Sequence, residues 1–252
     1  THVLDAKPSG GLKPDDELLS WNDRKLINHE SLEILSDLRK IGDRVKLDFR
    51  RWSEKRTAEV ELIRFYPTLR FMIVYAFVGI VVWCTGIITL VSRQKSLVVS
   101  TLHWLMISLA ATLLMTQGPI EAGTFMAFTE RSIFFFAYGI IGALFTFLTI
   151  IFPRQKIGSV ATPALIVFGP ALVWIAALIF YFFRAIESLN PDDFSSFQKA
   201  NDSFHLGLAI YAVAGVISLF HSFRTSGSKE DKARLQWILW GFAVGPTPFV
   251  IL

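Results

Sequence analysis

The sequence predicts a bundle of six membrane-spanning helices preceded by a small α+β domain. Hydrophobic residues make up 52% of the 252 positions and the mean hydropathy is +0.47, values typical of an integral membrane protein. Charged residues are concentrated at the start, where positions 1–68 hold 13 of the 25 basic and 13 of the 21 acidic residues. We therefore divide the chain into a water-exposed domain at 1–66 and a membrane bundle at 67–252.

The first domain carries the patterns of a small mixed fold. Apolar and charged residues alternate at positions 45–50 and again at 58–62, which indicates two half-buried strands joined through residues 53–56. Before them, leucine or isoleucine recurs every third residue from Leu32 to Ile41, the spacing of a helix. This helix is expected to span 28–41, with Asn28 as its N-cap and Gly42 just past its end.

Six apolar runs follow this domain. Each is about 20 residues long, the length that a helix needs to cross the hydrocarbon core, although the last run is slightly shorter. The bilayer leaves the backbone few alternatives to a helix, so a helical bundle with the lipid bilayer as its partner is expected. The runs lie at approximately 69–91, 97–116, 132–152, 163–183, 203–223 and 235–252.

The charges between these runs predict the orientation of the bundle. Eight basic residues occupy the first, third and fifth connections, namely Arg93, Lys95, Arg154, Lys156, Arg224, Lys229, Lys232 and Arg234. The second and fourth connections hold Arg131, Arg184 and Lys199 together with six acidic residues. Because basic loops stay in the cytoplasm, we expect the odd-numbered connections inside and the first domain outside. The pI near 9.2 reflects these loops, so no nucleic-acid partner is expected.

Residues on either side of the predicted helix resemble the latter part of a bacterial-type PDZ domain. The matching stretches are SGGLKPDDELLSWNDRKL and GDRVKLDFRRWSEKRTAEVEL, whose order and spacing agree with the family. In this resemblance the structural turns and caps fall at Gly11, Leu12, Asp16, Asn22, Asn28 and Gly42. Asp15 and Asp23 stand where the family usually has glycine. Aspartate tolerates left-handed backbone angles better than most residues, so both turns are expected to form.

The resemblance implies a groove that accepts the C-terminus of a peptide by strand addition. This groove would lie between a strand at 2–4 and the predicted helix. The candidate peptide-binding residues are therefore His2, Val3, Leu4, His29 and Leu32. In the family a loop that would precede Thr1 holds the peptide carboxylate. Two alternatives stay open: the domain is a folded spacer that binds nothing, and His29 is an ordinary surface residue.

The membrane part adds a second resemblance. An external PDZ-like domain, several spans, the segment FLTIIFPRQK and a basic loop leading into KARLQWILWGFAVGPTPF are similar to the sensor portion of bacterial receptor histidine kinases of the competence type. This implies a homodimeric sensor in the plasma membrane of a bacterium, coupled to a cytoplasmic output enzyme. The chain itself carries no kinase motif, so its status as an enzyme stays open. The alternative is a membrane adaptor that recruits exported proteins without signalling inward.

The chain is expected to continue at both ends. Its last apolar run reaches Leu252 without a polar flank, and an external domain requires an export segment before it. One more helix is therefore expected on each side in the intact protein. Within the last run, Gly241 and Gly245 offer a small-residue face for helix packing, and Pro246 and Pro248 offer a hinge or a tolerated kink.

Three other chemistries compete with a sensor. The segment HESLE begins a zinc-protease pattern at His29 but has Glu33 in place of the second histidine. His103 and His221 could ligate haem between spans, or serve as interfacial polar residues. No span holds a charged residue near its centre, which disfavours a transporter. We therefore predict no metal site and no cofactor.

A polar cluster lies near the outer end of the second span. It comprises Thr112, Thr116, Gln117 and Glu121. Two interpretations stay open, because such residues line ligand pockets in some membrane proteins and in others only cap or join neighbouring helices.

Overall fold

The computed structural model describes residues 2–5, 12–13, 15–40, 42–64, 69–92, 96–116, 124–153 and 159–244. Its N-terminal part, which we call the sheet domain, contains the strands β1 (His2–Asp5), β2 (Glu17–Trp21), β3 (Arg24–Lys25), β4 (Arg44–Arg51) and β5 (Glu54–Arg64), and the helix α1 (His29–Asp37). The strands form one sheet in the order β1-β5-β4-β2-β3, and each is antiparallel to its neighbours.

The alternating pattern along β4 and β5 builds the core of the sheet domain. Side chains from both strands that are at most 5% exposed are Val45, Leu47, Phe49, Ala58, Val60 and Leu62. Ile34 and Leu35 of α1 belong to the same buried cluster. Each such large side chain contributes about 1.5–3 kcal/mol when fully buried. The two strands predicted here are confirmed, with Asp48 as an exception because it is buried although it falls in the polar register.

The connection between β4 and β5 is shorter than predicted. The prediction joined the two strands through residues 53–56, whereas only Trp52 and Ser53 separate them. Arg51 pairs with Glu54, and the ladder continues from there along β5. Backbone pairing extends through charged positions because their side chains stay in water while the backbone hydrogen bonds form.

Helix α1 is also shorter than predicted. It ends at Asp37, whereas the apolar spacing predicted a helix to residue 41. Leu38 follows the helix and still packs against the core, so the apolar period continues past the helical backbone. The amide of Arg39 donates to the carbonyl of Ser36, which tightens the last turn before the chain enters β4.

Left-handed backbone angles occur at the turns of the sheet domain. Asp15, Asp23 and Gly42 have φ angles of 75°, 64° and 91°. Both aspartates thus adopt the backbone that a glycine would favour. Asn28 is the N-cap of α1: its Oδ1 accepts from the amide of Ser31 at 2.9 Å, and Ser31 Oγ accepts from the amide of Asn28 at 3.3 Å. This is a reciprocal capping box.

The remaining residues predicted as turns or caps are Leu12, Asn22, Asp16 and Gly11. Leu12 packs against the core. Asn22 has a φ of 46° and its side chain accepts from the backbone of β4 at 2.8 Å. Asp16 accepts from the amide of Lys13 at 2.7 Å. Gly11 lies outside the described residues.

The bundle is built from long helices. They are α2 (Leu69–Ser92), α3 (Leu97–Met115), α4 (Thr124–Ile151), α5 (Ala161–Ser188), α6 (Pro191–Thr225) and α7 (Lys229–Val244). Five of them, α2 to α6, are long and apolar enough to cross a membrane, so the chain is a multi-pass membrane protein. The sixth predicted span, 235–252, begins inside α7 and passes beyond the described residues, so it stays a prediction.

Two helices extend well beyond their predicted spans. α4 begins at Thr124 rather than at 132, and α6 begins at Pro191 rather than at 203. Arg131 and Lys199 therefore lie on helices, not in connections as predicted. The same holds for Arg184 on α5, which ends at Ser188 rather than at 183, and for Arg224 on α6 and Lys229, Lys232 and Arg234 on α7. The cause is local: Asn190 caps α6, Pro191 occupies its first turn, and a polar helical segment follows that a hydropathy pattern does not detect.

α4 is the central helix of the bundle. It packs against α3, α5 and α6, whereas α2 packs against α3. Close approach depends on small residues, since a Cβ added to Gly139 would lie 2.6 Å from Ile175 Cγ1 and 2.8 Å from Phe204 Cε2. Apolar side chains of α2 such as Phe77 are exposed, as expected for a surface in contact with lipid.

Candidate functional site

β1 is an edge strand beside α1. It pairs with β5, for example Val3 with Ile63 and Leu4 with Leu62, and α1 packs next to it. His2 lies on the same strand, and the structure describes the backbone of these three candidate residues. An edge strand next to a helix is the geometry that strand addition uses. Peptide binding at this edge stays a prediction.

The other two candidate peptide-binding residues share a cavity beside the start of α1. His29 and Leu32 line this cavity of about 780 Å³ together with residues of β2, β3 and β4. Its walls carry paired charges, with Arg50 3.1 Å from Glu17 and a second pair formed by Asp48. The lining of the cavity is therefore polar, and these charges are paired with one another.

Two carboxylates of the sheet domain are held strongly acidic by their partners. Lys55 Nζ lies 2.9 Å from Asp48, and together with the Thr57 hydroxyl it lowers the pKa of Asp48 to about 2. Arg51 donates to both oxygens of Asp16 at 2.7 and 2.6 Å and likewise lowers the pKa of Asp16 to about 2. Both carboxylates are thus charged at physiological pH.

Helix α1 is fastened to the bundle at a contact that we call the joint. It consists of Asn28, which caps α1, Glu33 and Asp37 of α1, Arg131 of α4 and Gln198 of α6. Arg131 Nε donates to Asp37 Oδ2 at 2.7 Å, and its Nη2 forms an ion pair with the same oxygen at 2.7 Å and lies 3.8 Å from Glu33 Oε2. Asn28 Nδ2 donates to Gln198 Oε1 at 2.9 Å. The joint thus connects the sheet domain to two helices of the bundle.

The ion pair of the joint is buried. The side chain of Asp37 is 1% exposed and that of Arg131 is 15% exposed. Charges in such surroundings require a partner, because an isolated buried charge is strongly unfavourable. Separation of α1 from α4 would leave both charges without their compensation. The joint therefore favours one position of the sheet domain on the bundle.

A second cavity lies at the joint, and we call it the joint cavity. Its volume is about 390 Å³. Its aromatic walls come from three helices of the bundle: Phe134, Phe135, Tyr138, Phe182, Phe197 and Phe204. Its polar lining comes from α1 and from the same end of the bundle: His29, Glu30, Glu33, Asp37, Thr116, Arg131, Asn201 and His205. Aromatic walls with a few polar groups are typical of small-molecule sites.

Of the polar cluster on the second span, one residue lines a cavity as the first interpretation predicts, and another only bonds within its own helix. Thr116 lines the joint cavity. Thr112 Oγ1 donates to the carbonyl of Ser108 at 2.9 Å, within its own helix. Gln117 and Glu121 lie outside the described residues.

The histidines considered as haem ligands lie at separate helices. His103 Nδ1 is 2.9 Å from the carbonyl oxygen of Gly86, which ties α3 to α2. His221 is exposed near the end of α6. In the described ranges, no three His, Cys, Asp or Glu side chains are grouped to hold a metal ion.

Of the predicted hinge residues, Gly241 lies on α7, while Gly245, Pro246 and Pro248 lie outside the described residues.

Sequence reasoning missed the central residue of the joint. It treated Arg131 as an orienting charge, but Arg131 pairs with Asp37, which lies 94 positions earlier in the chain. One signal was present, since Asp37 falls among apolar helix positions where a charge needs a partner. Nothing in the local pattern identified that partner.

No family model, curated protein or solved structure matches this chain. The candidate functional site therefore rests on its own geometry, which is a sheet domain fastened by a buried ion pair to the helices of a membrane bundle.

Proposed function

We propose that this chain is a membrane sensory module, in which the sheet domain receives a ligand outside the cell and the helical bundle transmits its state inward. The observation that carries the proposal is the joint. A flexibly attached domain would not need the buried pair of Asp37 and Arg131, whereas a domain that drives helix movement needs a specific and rigid contact.

Two helices lead from the joint to the opposite end of the bundle. α6 contains 35 residues, so it is about 52 Å long at a rise of 1.5 Å per residue. Gln198 near its start contacts α1, and Thr225 forms its far end. A continuous helix of this length carries a displacement from one face of the membrane to the other.

The proposed ligand is a peptide or protein C-terminus at the edge of β1. α1 flanks this edge, and its first residue His29 lines both the cavity beside β2 and the joint cavity. A ligand that displaces α1 would therefore change its contacts with the bundle. This coupling is the physical basis of the proposed transmission.

Charge distribution supports the proposed orientation. α1 contacts Arg131 near the start of α4 and Gln198 near the start of α6, so the sheet domain sits at the end of the bundle where these helices begin. The basic residues predicted to be cytoplasmic come in the sequence after α2, after α4, and at the end of α6 and the start of α7. We place the sheet domain outside a bacterial plasma membrane. The cytoplasmic output in the intact protein would be a histidine kinase, as the resemblance implies, with the receptor acting as a homodimer.

Single cysteines test the orientation. In a Cys84→Ser background, Lys199→Cys on α6 should react with an impermeant thiol reagent in intact cells. Thr225→Cys at the other end of the same helix should react only after the membrane is opened. Both positions are exposed, so access to the reagent decides the outcome. Labelling of Thr225→Cys alone in intact cells would reverse the proposed orientation.

Transmission is tested by disrupting the joint and measuring the distance between two helix ends at the opposite end of the bundle. Spin labels on Thr162 of α5 and Thr225 of α6 report the distance between the inner helix ends by pulsed electron resonance in the Cys84→Ser background. Arg131→Met should shift this distance by about 2 Å, the scale of helix shifts in signalling proteins. Arg184→Met is the control, because it removes a different ion pair at the same end, in which Arg184 is 53% and Asp193 8% exposed.

A negative result would favour the adaptor. If Arg131→Met left the distance distribution between the two labels unchanged, the sheet domain and the inner face would be uncoupled. The chain would then be a membrane anchor that presents a binding domain.

A further inference from the structure

We propose that the joint cavity is a binding site for an organic ammonium ion that carries an apolar group. The site lies between α1 and the ends of α4, α5 and α6. It is separate from the edge of β1, where the peptide is proposed to bind. Binding here does not depend on the sensory function, so the two proposals stand or fall on different measurements.

The cavity wall is an arrangement of aromatic rings. Phe135 and Phe182 meet edge to face with their centroids 5.2 Å apart, and Phe182 and Phe197 lie 5.4 Å apart. Tyr138 and Phe204, at 5.8 Å, add a second group of rings. The faces of such rings attract a cation within about 6 Å, and the attraction increases when water is excluded. The same rings pack against the apolar part of the ligand.

The charges at the cavity favour a cation over an anion. Arg131 compensates Asp37, to which it donates at 2.7 Å. Glu30 and Glu33 line the same cavity, where Glu33 also lies 3.3 Å from His29 Nε2 and 3.8 Å from Arg131 Nη2. With neutral histidines, the three carboxylates of the lining still exceed the single guanidinium in charge. Glu33 is 33% exposed, so its attraction for a cation is only partly screened by water. An anion of the same size would meet repulsion from both glutamates.

The size and depth of the cavity limit the ligand. A volume of about 390 Å³ is at the lower end of the range for small-molecule sites, which suits one ammonium group and one ring or short chain. Phe204 and His205 line the cavity and mark the start of the apolar part of α6. The site therefore lies at the level where the apolar segment begins. Both a free amphiphilic amine and the head group of a lipid can reach it.

Calorimetric titration of the full chain in a non-ionic detergent tests the proposal. Benzyltrimethylammonium should bind saturably with one site per chain, and benzenesulfonate should not bind. The double variant Glu30→Gln/Glu33→Gln should weaken binding of the cation by roughly tenfold or more. Glu187→Gln is the matched control, since it removes an exposed carboxylate near the end of α5 outside the cavity.

A second variant separates loss of the site from loss of the fold. Asn201→Trp fills the cavity without changing its charge and should abolish binding, while gel filtration and thermal unfolding report whether each variant is folded. Addition of phosphatidylethanolamine or phosphatidylcholine identifies the source of the ligand. Competition with the probe assigns the site to a lipid head group, and a lack of competition assigns it to a free amine. Absence of saturable binding to the unmodified chain, equal binding of benzenesulfonate, or an unchanged affinity in the double variant would overturn the proposal.

Discussion

Arg131→Met is expected to release the sheet domain from the bundle. Methionine replaces the apolar stem of arginine at similar length but carries no guanidinium. The carboxylate of Asp37 therefore stays buried without its main partner. Removal of one member of a buried pair costs about 3–5 kcal/mol, because the remaining charge loses its compensation. Hydrogen exchange of the α1 amides in the full chain measures this effect, and we expect protection at α1 to fall while the core of β4 and β5 stays protected.

Two comparisons show whether the effect belongs to the ion pair. Asp37→Leu combined with Arg131→Met removes both charges and should restore most of the lost protection. Arg56→Met breaks the exposed pair between Arg56 and Glu54 and should have little effect, since surface pairs contribute about 0–1 kcal/mol. If Arg131→Met left exchange at α1 unchanged, the joint would be a passive contact and the sensory proposal would lose its support.

The sheet domain was predictable where its pattern is local. The alternation along β4 and β5 identified the strands because the side-chain period of a strand is two residues, and Asn28 could be recognised from the spacing of a helix start. Asp48 shows the limit of this reasoning. It is buried in a polar register because Lys55 and Thr57 on the neighbouring strand provide its partners, and the alternation contains no information on such pairs.

The bundle was predictable only for its apolar segments. Hydropathy located the five helices that can cross a membrane, but it treated the first turns of α4 and α6 as connections. The start of α6 is capped by Asn190, and α6 and α4 contact the sheet domain through Gln198 and Arg131, features that are unrelated to apolar content. The joint and its cavity depend on residues far apart in the chain, such as Asn28 and Gln198, which are 170 positions apart. Contacts between such distant residues form only when the chain is packed. The sequence therefore indicated single members of the site, such as His29 and Thr116, but not the residues that lie next to them in the structure.

Gly215→Leu is expected to disrupt the packing of α4 against α6. A Cβ at Gly215 would lie 2.7 Å from Phe145 Cδ1, well inside van der Waals contact. The ring cannot easily turn away, because Phe145 belongs to a buried cluster with Leu219 and Leu235. Overpacking of this kind costs about 1–3 kcal/mol, so the temperature of unfolding of the full chain in detergent should fall clearly.

The matched control for this prediction is Gly169→Leu. Gly169 lies inside α5, and a Cβ there meets no atom within 4 Å, so this variant should unfold at the same temperature as the unmodified chain or slightly higher, because leucine favours a helix more than glycine does. Phe145→Ala combined with Gly215→Leu should recover part of the loss, since the smaller side chain makes room for the leucine. The three variants separate a steric clash from a general intolerance of larger residues in the bundle. Equal unfolding temperatures for Gly215→Leu and Gly169→Leu would show that α4 and α6 do not approach each other at this glycine.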